Sequence, residues 1–273
     1  MLTWEKIDAI PGWFGFHSYA LWRALLDFQA GAPHGVPAGD LFEIGVWKGR
    51  SASVLATYCK PGEKLYLCDL DLDEPAVHRA FASVAAAPKD VITLSGPSAQ
   101  LPGRLDLRTM HQSVRWMHID GEHTGTAVWR DLEVAHQIVG SRGLVVIDDF
   151  FSPRYPANTT EVVRYMEKNP FHFRLLAVAF NKAYLCRPEA LPVYMEFMAG
   201  PLSTALLDYD CKSTIWKTTG AWDTDAVGVT GFVDAAGTIA GPDTNPHYWN
   251  MLRERPVLPF LARLRNAWRE LTR

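Results

Sequence analysis

Three aspartates, Asp120, Asp148 and Asp149, sit where short apolar runs stop. The first closes VRWMHID, and the other two lie near the end of GLVVIDDF, Gly143 to Phe150. If these runs are adjacent parallel strands, their ends lie about 5 Å apart and the carboxylates converge on one point. Carboxylates packed together repel one another unless a cation or protons intervene. Oxygen-only ligation suits a hard divalent ion such as magnesium, manganese or calcium. An isolated aspartate more often caps a helix or faces solvent; three at strand ends in one site point to a metal centre. His123 follows Asp120 in the run Asp-Gly-Glu-His, where Gly121 lets the chain turn sharply out of the strand. Histidine titrates near neutral pH, which suits a general base above the sheet, and Glu122 is the competing base. The other histidines have no such setting.

The elements needed to hold these groups are legible. FHSYALWRALLDFQA, Phe16 to Ala30, has apolar residues at helical spacing and reads as an amphipathic helix. LFEIGV, KLYLCDLD, DVITLSG, VRWMHID and GLVVIDDF are short apolar strands, and helical stretches separate most of them. That alternation is the signature of an α/β fold: a doubly wound, mostly parallel Rossmann-like sheet with helices on both faces. FRLLAVAF and KAYLCR, joined at Asn181, read as an antiparallel hairpin closing the sheet. From Pro188 the pattern is weaker. YMEFMAG suggests a helix, STIWKT and VGVTGFVDAAG strands or loops, and PFLARLRNAWRELTR an amphipathic basic helix with Arg263, Arg265, Arg269 and Arg273. Two parts are expected: residues 1–187 as the α/β domain with its N-terminal helix, and 188–273 as an extension serving as substrate cap, oligomer contact or linker.

The bulk numbers narrow the classes. The chain has 273 residues, about half of them apolar, and a net charge of −3, so no nucleic-acid or membrane-surface partner is called for. No apolar run approaches the roughly 20 residues of a membrane span. Cys59, Cys68, Cys186 and Cys211 form no CxxC pair and read as small buried hydrophobes in a reducing, cytoplasmic setting. Ten tryptophans suit stacking or apolar ligand surfaces, or core packing alone.

The first strand runs into Glu43-Ile-Gly45-Val-Trp47-Lys-Gly49-Arg-Ser51. In an open α/β sheet, ligands bind at the carboxyl ends of the strands near such a turn. Trp47 stands where a dinucleotide fingerprint needs its second glycine, which disfavours a pyrophosphate. The pattern E-x-G-x-x-x-G-x-S instead resembles the first motif of class I S-adenosylmethionine-dependent methyltransferases. That resemblance implies a cofactor with an ammonium and a carboxylate, contacted by Glu43, Gly45, Gly49 and Ser51. Asp69, with Asp71 the alternative, is placed for the ribose hydroxyls. Ser98 falls where adenine contacts lie, and Asp120 faces cofactor and ion together.

HIDGEH, then Val128 and Asp131-Leu132, then SRGLVVIDDF, resemble the macrocin and mycinamicin sugar O-methyltransferases and cephalosporin hydroxylase-like sequences. The likeness covers roughly Ile10 to Arg187 and includes IPGWF. Ser141-Arg142-Gly143 departs from the usual Gly pair before the fifth strand. The resemblance implies magnesium held by Asp120, Asp148 and Asp149, with His123 as base. It also implies a divalent-metal-dependent O-methyltransferase acting on a sugar, glycoside or glycan hydroxyl. Rivals are a catechol-type O-methyltransferase, which typically carries Asp-Asn after the fifth strand, a nucleotide-sugar or NAD enzyme, and a non-catalytic cofactor- or glycan-binding module. The partner expected is a small-molecule or glycan acceptor, with homo-oligomerisation open.

Overall fold

A computed structural model describes residues 2–31, 38–233 and 239–240. Its first half holds α1 (Trp4–Asp8), α2 (Phe16–Ala30), β1 (Asp40–Ile44), α3 (Arg50–Tyr58), β2 (Lys64–Asp69), α4 (Glu74–Ser83), β3 (Asp90–Ser95), α5 (Leu101–Arg104) and β4 (Val114–Ile119). There follow α6 (Gly125–Ile138), β5 (Val139–Ile147), α7 (Pro156–Lys168), β6 (Arg174–Ala179) and β7 (Lys182–Cys186). Then come α8 (Leu191–Ala199), α9 (Leu202–Leu207), β8 (Ser213–Thr219), β9 (Asp225–Val233) and β10 (Ile239–Ala240).

The sheet order is β10-β9-β6-β7-β5-β4-β1-β2-β3, with β8 also on β9. Strands β1 to β5 are mutually parallel, and β7 runs antiparallel to both β5 and β6. Because β1 lies between β2 and β4, the chain reverses its direction of winding there and leaves a crevice at their carboxyl ends.

Alternation along the strands builds two cores. Leu41, Leu65, Trp116, Leu144 and Tyr184 face one side and pack with α1, α2, α3, α8 and α9. Their neighbours Phe42, Tyr66, Met117, Val145 and Leu185 face the other and pack with α6 and α7. Burial of both faces explains why the strands are apolar throughout rather than alternating. At the amino-terminal edge, Arg115 forks onto Glu63 at 2.9 and 2.8 Å and is also within 3.2 Å of Gln29 of α2, a buried tie between helix and sheet.

Two expectations are revised. Helix α2 is buried around most of its circumference rather than on one stripe, because α1 and α9 cover the side turned away from the sheet. Of the segment from Pro188, residues 188–233 continue the fold of the first part. β9 adds to β6 in parallel, and Tyr194, Phe197, Met198, Leu206, Val227 and Val229 join the core of the first face. The basic segment with Arg263, Arg265, Arg269 and Arg273 lies outside the described residues. Among these, no helix is long and apolar enough to cross a membrane. All four cysteines are free, and Cys68, Cys186 and Cys211 are buried.

Candidate active site

The glycine turn follows β1 directly. Gly45 has φ +85°, and a Cβ there would lie 1.8 Å from the Asp120 carbonyl oxygen. Only glycine lets the turn pass this close to the end of β4, where the Asp120 amide donates to the Ile44 carbonyl at 2.8 Å. Gly49, at φ +84°, caps α3 in the left-handed region and faces Val77 and Ala80. Ser51 lies buried in the first turn of that helix. Trp47 also has positive φ, and its amide and that of Val46 donate to Asp69 Oδ2 at 2.8 and 2.7 Å. Asp69 thus shapes the turn, while Oδ1 accepts the Asp71 amide at 3.1 Å. The Trp47 ring stacks on Trp13 at 4.6 Å, and Trp13 is 89% exposed. This exposed aromatic pair stands beside the turn.

At the next strand end, Asp120 and Asp148 lie side by side. Asp148 Oδ1 accepts from Lys182 Nζ at 2.6 Å and from the Asp149 amide at 2.7 Å. Burial alone would raise the Asp148 pKa, but the nearby Lys182 ammonium outweighs it and brings the group down to about 2. Asp120 goes the other way: burial and the Asp148 charge push its carboxyl well above the usual range.

His123 Nε2 lies 3.5 Å from both Asp120 Oδ1 and Asp149 Oδ2. Its Nδ1 is 3.2 Å from Asn158 Nδ2, and its ring lies 4.3 Å from Tyr155. Burial lowers its pKa, opposed by Asp149 and Asp148, so the ring is neutral at neutral pH. Asp149 itself sits at φ +52°. The hairpin turn between β6 and β7 braces it: Asn181 Nδ2 donates to Asp149 Oδ1 at 2.6 Å, and the Asn181 carbonyl accepts the Phe150 amide.

The residues picked from the sequence therefore divide. Asp120, Asp148, Asp149 and His123 converge, as do Gly45, Gly49, Ser51 and Asp69. Glu43 departs from its expected place. Its side chain is fully buried beneath the turn, 2.6 Å from His118 Nδ1, and does not face a cofactor ammonium. The reason is alternation: Glu43 points to the same sheet face as Leu41. Glu122 is exposed and lies within 3.2 Å of the Thr124 hydroxyl, away from the cluster. Ser98 stands near Asp131 of α6 and tends to lower its pKa. Among the described residues, the groups that could hold an ion and lie within 4.8 Å of one another are His118, Asp120 and Asp148, with His118 in the place expected for Asp149.

His118, Lys182, Asn158 and Tyr155 escaped the sequence reading. His118 and Lys182 sit inside apolar strands, where the only signal was a polar residue in a buried run. Asp131, part of the family-like run, is buried at 1% exposure with Oδ1 unpartnered. Burial raises its pKa to about 7. A carboxyl raised in the fold contributes most below its unfolded pKa, and that contribution is lost as pH rises toward the folded value. Asp131→Asn is therefore expected to stabilise the protein by about 1–3 kcal/mol near pH 8, with a smaller gain near pH 5. Thermal melts at the two pH values check this; an equal shift at both would contradict it.

An open α/β sheet with a glycine turn after β1, an acid after β2 and polar groups at the ends of β4 and β5 defines the doubly wound ligand-binding class. Residues 42–150 match the model of a methyltransferase domain. No curated protein matches the chain. Among solved structures, a protein from Corynebacterium glutamicum is similar at 14% identity over 66% of this chain and 83% of that one, with a TM-score of 0.50. CalS11, a TDP-rhamnose 3'-O-methyltransferase of calicheamicin biosynthesis, is 19% identical over 63% of this chain and 77% of that one, TM-score 0.45. MycE of the mycinamycin pathway, in complex with Mg, SAH and mycinamycin VI, is 16% identical over 65% of this chain and 50% of that one, TM-score 0.46.

Proposed function

We propose that this methyltransferase uses S-adenosylmethionine to methylate a hydroxyl of a sugar or glycoside with the help of a divalent cation. The observation that carries the reading is the meeting of the glycine turn with Asp120: the cofactor crevice and the carboxylate cluster share one backbone contact. Gly45, Gly49 and Ser51 would line the cofactor, and the ribose hydroxyls would find the outer edge of Asp69. Titration with S-adenosylhomocysteine tests this part.

The donor set fits a cation. Asp120, Asp148 and Asp149 face one buried ammonium, Lys182, so negative charge is in excess. A bound divalent ion lowers the pKa of an oxygen it ligates by several units, and an unassisted sugar hydroxyl is about as weak an acid as water. The chain's own residues orient and deprotonate. His123 is neutral and stands between Asp120 and Asp149, placed to take the hydroxyl proton at Nε2. Base action at Nε2 needs the tautomer protonated at Nδ1, which Asn158 supports when its amide presents Oδ1 to that nitrogen. The carboxylates on either side hold the resulting imidazolium. Trp13 and Trp47 offer exposed aromatic faces for the apolar face of a sugar or an aglycone.

The decisive experiment is calorimetric titration of the purified chain with S-adenosylhomocysteine, followed by labelled methyl transfer to a panel of glycosides and catechols. Micromolar cofactor binding with label entering glycosides is expected. Label entering only catechols would replace the acceptor class, and absence of cofactor binding would overturn the reading.

A further inference from the structure

We infer that His118, oriented by Glu43, is a nitrogen ligand of the cation site, so that the ion is held by His118, Asp120 and Asp148. The inference rests on the cation-assisted reading above and goes further by naming the ligand set and the class of ion it selects.

Glu43 and His118 are register partners on β1 and β4. Glu43 Oε1 lies 2.6 Å from His118 Nδ1, with side-chain exposures of 0% and 1%. The carboxylate accepts the Nδ1 proton and so fixes the tautomer that leaves the Nε2 lone pair free. His118 Nε2 is buried and has no hydrogen-bond partner. Glu43 reaches the ring from the β1 side of β4. The remaining nitrogen is thus left toward β5, the strand that ends in Asp148. One ring nitrogen of His118 and one carboxylate oxygen each from Asp120 and Asp148 lie within 4.8 Å of one another.

The edge of the Trp22 ring system packs on His118 at 4.7 Å and 82°, closing the apolar side. Lys182 and the Asp149 amide both donate to Asp148 Oδ1. Neither of these two donors occupies Asp148 Oδ2. A carboxylate on the far nitrogen of an imidazole is the recurring support of a metal-binding histidine, since it fixes the tautomer and raises the basicity of the ligating nitrogen. Asp149, drawn toward His123 and Asn181, stands outside this set and serves the base.

A nitrogen ligand changes which ion is preferred. Magnesium favours all-oxygen sites, whereas imidazole with carboxylates suits manganese, cobalt and the later first-row ions. The metal-stripped full chain, free of any affinity tag, would be titrated with manganese and with magnesium by calorimetry. The manganese complex would then be examined by pulsed electron paramagnetic resonance. Manganese is expected to bind at least about tenfold more tightly than magnesium and to show nitrogen hyperfine coupling. His118→Gln is expected to remove that coupling and to weaken manganese binding by about 10–100-fold, with magnesium binding changed far less. Retained S-adenosylhomocysteine binding would show that the variant folds. If it does not fold, the wild-type coupling and the Glu43→Gln variant, expected to weaken manganese by about tenfold, carry the test. Manganese bound through Asp148 with no nitrogen coupling would overturn the histidine ligand and leave the proposed function standing. Cofactor binding with neither ion bound would overturn the ligand set and the cation-assisted mechanism together.

Discussion

Asp148→Ala is expected to abolish methyl transfer, by at least about a thousandfold in kcat/KM, and to destabilise the fold by roughly 3–5 kcal/mol. The two losses have different causes. Activity falls because a cation ligand is gone and the groups that remain, Asp120 and His118, hold the ion too weakly. Stability falls because Lys182, whose side chain is 5% exposed, is left with a buried charge and its nearest counter-ion removed. The double variant Asp148→Ala, Lys182→Met separates them. Replacing a buried ion pair with apolar groups is often neutral, so most of the lost melting temperature is expected to return while activity does not. Thermal melts and labelled methyl transfer on the two proteins check this. Stability that fails to recover in the double variant would show that Lys182 is not what makes the single substitution costly.

His123→Ala is expected to lower kcat by about 10²–10⁴-fold, the usual range for a positioned general base, with S-adenosylhomocysteine affinity unchanged within about twofold. The side chain touches the carboxylates of β4 and β5, at 3.5 Å each, and not the glycine turn. Its loss therefore removes proton transfer and leaves the cofactor crevice intact. Asn158 provides an independent handle, because it meets Nδ1 at 3.2 Å and also reaches the Asp148 carbonyl. Asn158→Asp would hold the Nδ1 proton permanently and raise the basicity of Nε2, shifting the acidic limb of the pH–kcat profile upward. Asn158→Leu would lower kcat without that shift. Single-turnover rates across pH distinguish them. An unchanged kcat in His123→Ala would transfer the base role to Asp149 or Asp120.

Much of the layout was written in the chain. The apolar runs ending in Asp69, Asp120 and Asp148 marked out parallel strands and the edge that carries ligands, because both faces of such a sheet must be covered. Gly45 and Gly49 are specified locally, since each sits at a positive φ beside a close backbone or helix neighbour. His123 was legible because Gly121 turns the chain out of β4. Tertiary structure alone decided the rest. Whether Glu43 meets a cofactor or a histidine depends on strand register and on which face its position alternates to. The sequence spaces Lys182 far from Asp148, and only the antiparallel insertion of β7 beside β5 makes them an ion pair. Asp149 and Asn181 are joined by the same insertion. After Pro188 the local pattern is weak, and it is the existing core that gives α8, α9 and β9 a place for their apolar side chains. Local pattern reports what a residue can do; long-range pairing determines what stands next to it.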